Sequence, residues 1–303
     1  MELQEPGIEI IATVRASDLA RSWRQDFGID ASRLFDGVER LAIAREVGSG
    51  LIRFKPAILG DPEFYAALRA FKWYHPAEKA EFRTAAEWVN AGQRVIDVGA
   101  GNGAFAALTQ KASYLGLETD AAAAHACRAR GLNVRPITAA AHREDADFRP
   151  ADLVTAFQVL EHVADPASFL DDLWALARPG GHVAIGVPDA ESYLAHLPDF
   201  VLNAPPHHVT WWSERALRVY LTAAGFRVVD MVRFPVEPWE RQLRWMARVA
   251  HWLGYRGRPA FGRRLRPLKV SCFLASAALQ RFPGKKGASG STLLAIARKP
   301  ARV

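Results

Sequence analysis

Cysteine is scarce: Cys127 and Cys272 are the only two in 303 residues. Two thiols cannot build a disulfide framework, and their spacing offers no metal-ligand set. A reducing, cytoplasmic setting is therefore expected, with both residues as ordinary buried thiols. Long apolar runs are missing too. The longest mostly apolar stretch, Val270 to Leu279, is too short to span a bilayer. The N-terminus begins Met-Glu-Leu-Gln-Glu, without the basic-then-apolar order of a secretory signal. A third absence is local. After Glu240 the chain carries 15 Lys and Arg and no Asp or Glu, although the net charge of the whole is only +7. An acidic body is thus followed by a basic tail. Such a block implies an anionic neighbour (nucleic acid, a phospholipid surface, a phosphorylated or lipid-linked substrate, an acidic protein) or a solvated face that balances the body.

What is present is a large apolar fraction, 50%, enough for one large α/β domain with appendages or two smaller ones. The most informative stretch is Val95-Ile-Asp-Val-Gly-Ala-Gly-Asn-Gly-Ala-Phe105, a buried strand that breaks into a glycine-rich turn opening a helix. Gly99, Gly101 and Gly103 permit positive φ and an approach to a ligand closer than any Cβ would allow. The spacing Gly99-x-Gly101-x-x-Ala104 also satisfies the dinucleotide fingerprint, and Glu118 stands where an acid binds ribose hydroxyls in either case. Glycines alone do not decide between ligands. Asp97 does: a carboxylate over the turn repels a pyrophosphate and attracts a sulfonium compound with a free amine, S-adenosylmethionine.

Around this turn the periodicity alternates. Strands are expected at Arg94 to Val98, Tyr114 to Leu117, Val134 to Ile137, Ala151 to Phe157, His182 to Val187, Phe226 to Val232 and Ser291 to Ala297. Helices are expected at Pro76 to Ala91, Gly103 to Gln110 and Asp120 to Arg130, and after the caps Asp165-Pro166 and Ser213. Such alternation specifies a doubly wound, mostly parallel sheet with helices on both faces. Residues 1–60 read as a small β-rich extension, from the apolar runs Ile8 to Val14, Leu41 to Ala44 and Leu51 to Phe54. Residues 61–303 then form the main domain, with a basic, tryptophan-rich helical insertion over 234–290. The plainer role for that insertion is a helical cap, the sharper one docking on an anionic membrane through 241–286.

Downstream, Phe157-Gln-Val-Leu-Glu-His-Val163, Asp165-Pro166 and Arg178-Pro-Gly-Gly181 closely resemble the signatures of class I S-adenosylmethionine-dependent methyltransferases, over roughly residues 70–235. With Pro205-Pro-His-His-Val-Thr210, they resemble the ubiquinone-biosynthesis-like superfamily in bacteria, some of whose members are associated with cell-envelope sugars. The resemblance implies a seven-stranded sheet of order 3-2-1-4-5-7-6, its last strand antiparallel. In relatives the N-terminal extension often carries a cysteine-containing ribbon, but Glu39 to Phe54 holds no cysteine. The cofactor set so implied comprises Asp97 for the amine and sulfonium, Gly99, Ala100, Gly101 and Gly103 for the carboxylate end, and Glu118 and Thr119 for the ribose. Ala139 stands near the adenine, Phe157, Gln158 and Val159 along the methionine portion, and Tyr74 as an aromatic closing over the donor.

Methyl transfer to oxygen needs positioning and removal of a proton. Histidine titrates near neutral pH, so His162, His207 and His208 are the candidate bases. No metal site is expected from Glu161 and these histidines, because neighbouring side chains rarely converge on one ion unaided. The expected activity is O-methylation of a small-molecule or glycan-type hydroxyl. RNA methylation through the basic region is the alternative, less favoured because the Asn/Asp-Pro-Pro-aromatic motif of amino-group methylation is missing after strand four. A non-catalytic donor-binding scaffold at a membrane is the third reading, and a dehydrogenase the fourth.

Overall fold

The computed structural model describes residues 7–71, 73–74, 78–255, 260–279, 281 and 288–301. Along the chain run β1 (Ile8–Arg15), α1 (Ala16–Phe27), β2 (Arg40–Glu46), β3 (Ile52–Lys55), α2 (Pro62–Arg69) and α3 (Ala80–Ala86). Then follow β4 (Arg94–Val98), β5 (Ser113–Leu117), α4 (Ala121–Ala129), β6 (Val134–Arg135), α5 (Ala139–Arg143), β7 (Ala151–Phe157), α6 (Pro166–Leu176) and β8 (Ala177–Pro188). The last elements are β9 (Thr210–Trp211), α7 (Glu214–Ala223), β10 (Arg227–Pro235), α8 (Arg241–Trp252), α9 (Arg266–Leu279) and β11 (Ser289–Arg298).

Compactness groups these into two units: residues 1–65, 188–216 and 233–292, and residues 66–187, 217–232 and 293–303. A seven-stranded sheet has the order β10-β11-β8-β7-β4-β5-β6, the expected arrangement. The pairs β4–β5, β4–β7, β5–β6 and β7–β8 are parallel. Its central strands are buried on both faces, which is why β4 and β7 read as near-continuous apolar runs. The helices obey their caps. Asp120 accepts from the N–H groups of Ala122 and Ala123, and Asp165 from that of Ser168, ahead of Pro166 at the first turn. Leu170, Leu173 and Leu176 of α6 are fully buried.

Several local expectations are corrected. The helix after the glycine turn is a short 3-10 segment, Ala104–Leu108. The entry helix is only Ala80–Ala86, and Pro76, its expected first residue, lies outside the described residues. The Arg178-Pro-Gly-Gly181 segment is not a helix stop followed by a strand: it lies within β8, whose register jumps from Ala177 to His182 against β7.

The other unit contains a four-stranded sheet of order β1-β2-β3-β9. The apolar runs at Ile8, Leu41 and Leu51 form its strands, but α1 intervenes, buried through Leu19 and Trp23. β9 joins β3 antiparallel, Ile52 opposite Trp211. The helices α8 and α9 pack together over Met246, Ala247, Val249, Ala250 and Cys272.

Candidate active site

β4 delivers the chain into the turn at Gly99, Gly101 and Gly103, with φ of 73°, 54° and 72°, the left-handed values that favour glycine. The N–H groups of Gly99 and Ala100 both donate to the Leu117 carbonyl, at 2.7 and 3.1 Å, tying the turn to the end of β5. A Cβ on Gly99 would stand 2.4 Å from Cγ2 of Val159, and one on Gly103 2.5 Å from Cδ1 of Leu132. The turn is bare because the fold closes on it.

Asp97 is 2% exposed. Its Oδ1 accepts from the Thr155 hydroxyl at 2.7 Å and its Oδ2 from the Tyr114 hydroxyl at 2.9 Å. Burial, opposed by these two bonds, raises its pKa from 3.8 to about 6. The carboxylate is thus anchored inside the fold by two hydroxyls that sequence spacing did not reveal. Their only signal was that Thr155 and Tyr114 belong to the strands flanking β4. Glu118 is raised mainly by desolvation; its Oε2 accepts from Gly101 N–H at 2.7 Å and its Oε1 from Asp120 N–H at 2.9 Å. Thr119 beside it is exposed. The charge of Glu118 is one of the causes that raise Asp97. A buried and a half-buried acid that repel one another at a bare-backbone turn suit a cationic ligand and disfavour a diphosphate, so the residues present fit S-adenosylmethionine.

Ala139 is buried at the start of α5, which Thr138 caps by accepting from Ala141 N–H. Tyr74 is half-buried in the turn region after α2, its N–H donating to the Phe71 carbonyl. Phe157 packs with Phe82 and Phe105, ring centroids 4.8 and 5.0 Å away, so its side chain belongs to the core. Gln158 takes φ 57°, rare for a side-chain-bearing residue. Its N–H donates to the Gly186 carbonyl and its Nε2 to Glu81 Oε1 at 3.2 Å. Sequence reading missed Glu81, a buried carboxylate on α3 with Lys79 Nζ 3.8 Å away. A lone acid in a polar-looking helix gives no sign of burial.

Past β7, Glu161 is buried, and Nε2 of His162 lies 3.8 Å from its Oε1. Desolvation pushes the Glu161 carboxyl from 4.5 to about 8, with Glu81 adding repulsion and Lys79 opposing. A carboxyl raised on folding favours the folded state while protonated, so its contribution is full below pH 4.5 and is lost as pH climbs through about 8. Glu161→Gln is therefore expected to flatten the decline of thermal stability across that window. Wild-type and variant melting curves that fall in parallel from acid to mildly alkaline pH would refute the assignment.

His207 and His208 lie in the other unit, at the Pro205–Pro206 loop. Their rings stack at 4.3 Å. Nδ1 of His207 donates to the Leu202 carbonyl at 2.9 Å, and that of His208 to Asn203 Oδ1 at 3.0 Å. Both bonds select the tautomer whose basic nitrogen is Nε2. The rings of Trp23, Tyr65 and Phe64 stand 6.1, 6.2 and 6.5 Å from that of His207.

A family described as a methyltransferase domain matches residues 68–231, more than half of the chain. A protein of Acinetobacter baylyi named ubiquinone biosynthesis O-methyltransferase is 27% identical over 223 residues, covering 62% of this chain and 90% of that protein. One of the same name from Methylococcus capsulatus is 40% identical over 150 residues, 41% of this chain and 62% of that one. A solved S-adenosylmethionine-dependent methyltransferase from Archaeoglobus fulgidus superposes with a TM-score of 0.53 at 19% identity, covering 78% of this chain and all of that one, a likeness of fold.

Proposed function

From the premise that the chain belongs to the methyltransferase domain family and takes S-adenosylmethionine as its methyl donor, we propose that it methylates a hydroxyl oxygen of a small organic acceptor. The observation that carries this is the Glu161–His162 pair directly after β7, in the same compact unit as the donor turn. An oxygen acceptor must lose a proton, and an imidazole next to a buried carboxyl supplies a place for it. The names of the curated relatives point the same way and make a hydroxylated ubiquinone precursor the first acceptor to assay; a glycan hydroxyl is the second.

When bound, S-adenosylmethionine supplies an electrophilic methyl on a sulfonium. The chain's own residues do the rest. The turn of Gly99, Ala100, Gly101 and Gly103 would border the carboxylate end of the donor, its own N–H groups being held by Leu117, Glu118 and Ala100. Glu118 takes the ribose hydroxyls on its remaining lone pairs while keeping its bonds to Gly101 and Asp120. Asp97 acts on the cationic end by its field from beneath the turn, its oxygens already held by Thr155 and Tyr114. Ala139 borders the adenine, Val159 and the Gln158 backbone border the methionine chain, and Tyr74 and Thr119 complete the donor's surroundings. His162 receives the acceptor's proton; the stacked His207–His208 pair is the second candidate for that proton.

The test is transfer of labelled methyl to each acceptor with purified protein. His162→Ala should lower turnover about a hundredfold or more, the range for a general base, while donor affinity by calorimetry stays within a few-fold of wild type. Unchanged turnover in that variant, together with loss in His208→Ala, would move the base to the second pair. Product methylated on nitrogen or carbon would overturn the proposal.

A further inference from the structure

The helix α9 leaves much of its apolar side uncovered, against the rule for a surface helix. In α9 the fully buried residues are Cys272 and Ser276, while Val270, Phe273 and Leu274 are 46%, 51% and 65% exposed. Leu268 and Leu279 pack with Cys272 against the cluster shared with α8, and a second aliphatic and aromatic stripe is left facing out. The helix is apolar enough to read as core from sequence, yet its outward side has no covering among the described residues of its unit.

Next to it, α8 buries Met246, Ala247, Val249 and Ala250 and turns a different face outward. Arg241, Trp245, Arg248 and Trp252 follow one another at intervals of four, three and four residues, hence along one stripe. The Arg248 guanidinium lies 4.7 Å over the Trp245 ring, and the Trp245 and Trp252 rings are 6.3 Å apart. Trp252 and Leu253 at the end of α8 are 64% and 59% exposed. Cation and indole alternating on one stripe is the chemistry of a bilayer interface, where the ring sits among headgroups and the cation meets phosphate.

Charge identifies the occupant. From Arg241 to the C-terminus no acidic residue occurs, and Arg281, Lys285 and Lys286 follow α9 in the sequence. A second copy of this chain docked by a two-fold axis would set this basic face against itself. A polyphosphate such as RNA satisfies the arginines but has no use for exposed Val270, Phe273 and Leu274. An anionic phospholipid surface satisfies both sets at once. No helix among the described residues is long and apolar enough to cross a membrane, so the contact is adsorption in the plane of the interface.

We propose that the α8–α9 hairpin is a docking surface for an anionic phospholipid bilayer, with the outward face of α9 inserted at the headgroup boundary and the Arg–Trp stripe of α8 held against lipid phosphate. The hairpin lies outside the matched methyltransferase region, and the inference holds whatever the acceptor.

The experiment is flotation of the full chain with vesicles of phosphatidylcholine alone and of equal parts phosphatidylcholine and phosphatidylglycerol, over a series of salt concentrations. Binding to the anionic vesicles is expected to exceed that to neutral ones by about tenfold or more and to fall with salt, since several Lys and Arg each contribute near the surface. The double variant F273E/L274E should lose about tenfold or more of that binding. V47E/V229E adds the same charge at exposed valines elsewhere (62% and 43% exposed) and should bind as wild type. Trp252→Ser should weaken binding in the same direction, and donor affinity of every variant checks its fold. The proposal is overturned by equal binding to both vesicle types, by no binding, or by F273E/L274E floating like wild type. It is overturned also by a dimer in light scattering that F273E/L274E dissociates while vesicles are ignored, or by salt-sensitive RNA binding without vesicle binding.

Discussion

Gly101→Val is expected to abolish S-adenosylmethionine binding, with an affinity loss of at least about a hundredfold, or ~3 kcal/mol. Gly101 has φ 54°, and a β-branched residue is strongly disfavoured in that region. The same residue presents its N–H to Glu118 Oε2 at 2.7 Å, so a shift of the backbone moves the ribose-binding carboxylate as well as filling the cradle. Gly99 would be a poorer probe: its missing Cβ is needed by Val159, so a side chain there damages the fold itself. Calorimetry with S-adenosylmethionine and a melting curve for each variant separate the two. A folded Gly101→Val protein that binds within about threefold of wild type, under ~0.7 kcal/mol, would show that this turn is not the donor cradle.

Asp97→Ala is expected to cost both stability and donor affinity. It orphans the hydroxyls of Thr155 and Tyr114 in a buried site, and each unsatisfied buried group costs about 1–3 kcal/mol, so a loss of ~2–6 kcal/mol is anticipated. Asp97→Asn separates the roles, because the amide still accepts one hydrogen bond but carries no charge. If the field of the carboxylate acts on the cationic donor, the amide variant should fold with a far smaller loss and still weaken binding about tenfold. The pH dependence has a definite sign. Burial raises Asp97 from 3.8 to about 6, and a cation prefers the ionised form, so affinity should tighten as pH rises through about 6 and level off above it. The free protein changes oppositely, losing this group's contribution over the same climb. Binding by wild type that is flat with pH, or wild-type affinity in the Asp97→Asn protein, would reduce Asp97 to an anchor of the turn.

These two expectations differ in how far they could be read from residues alone. The strands Arg94–Val98 and Ala151–Phe157 are seen where the apolar pattern puts them, because a parallel strand covered on both faces has no choice but continuous apolar side chains. The caps Asp120, Asp165 and Ser213 were legible because they act within a few residues, as in Ser213 Oγ accepting from Ala216 N–H. The 3-10 segment at Ala104–Leu108 was not, since an apolar pattern over five residues does not tell i→i+3 bonding from i→i+4. Nor was α1 between the first two strands, or the union of β9 with β3 across more than 150 residues, which no local period records.

For the site, residue types and their order along the chain settled the class of ligand: a glycine turn after a buried strand, followed by an acid after the next, follows from local backbone chemistry. Position in three dimensions settled what each acid does. Asp97 was expected to face the donor, and its oxygens are instead taken by two hydroxyls from neighbouring strands. Glu81 and Glu161 became buried acids only because α3 and the segment after β7 fold inward. The outward apolar face of α9 likewise needed the structure, because helical periodicity names the two faces of a helix and only its packing partner chooses which one meets water.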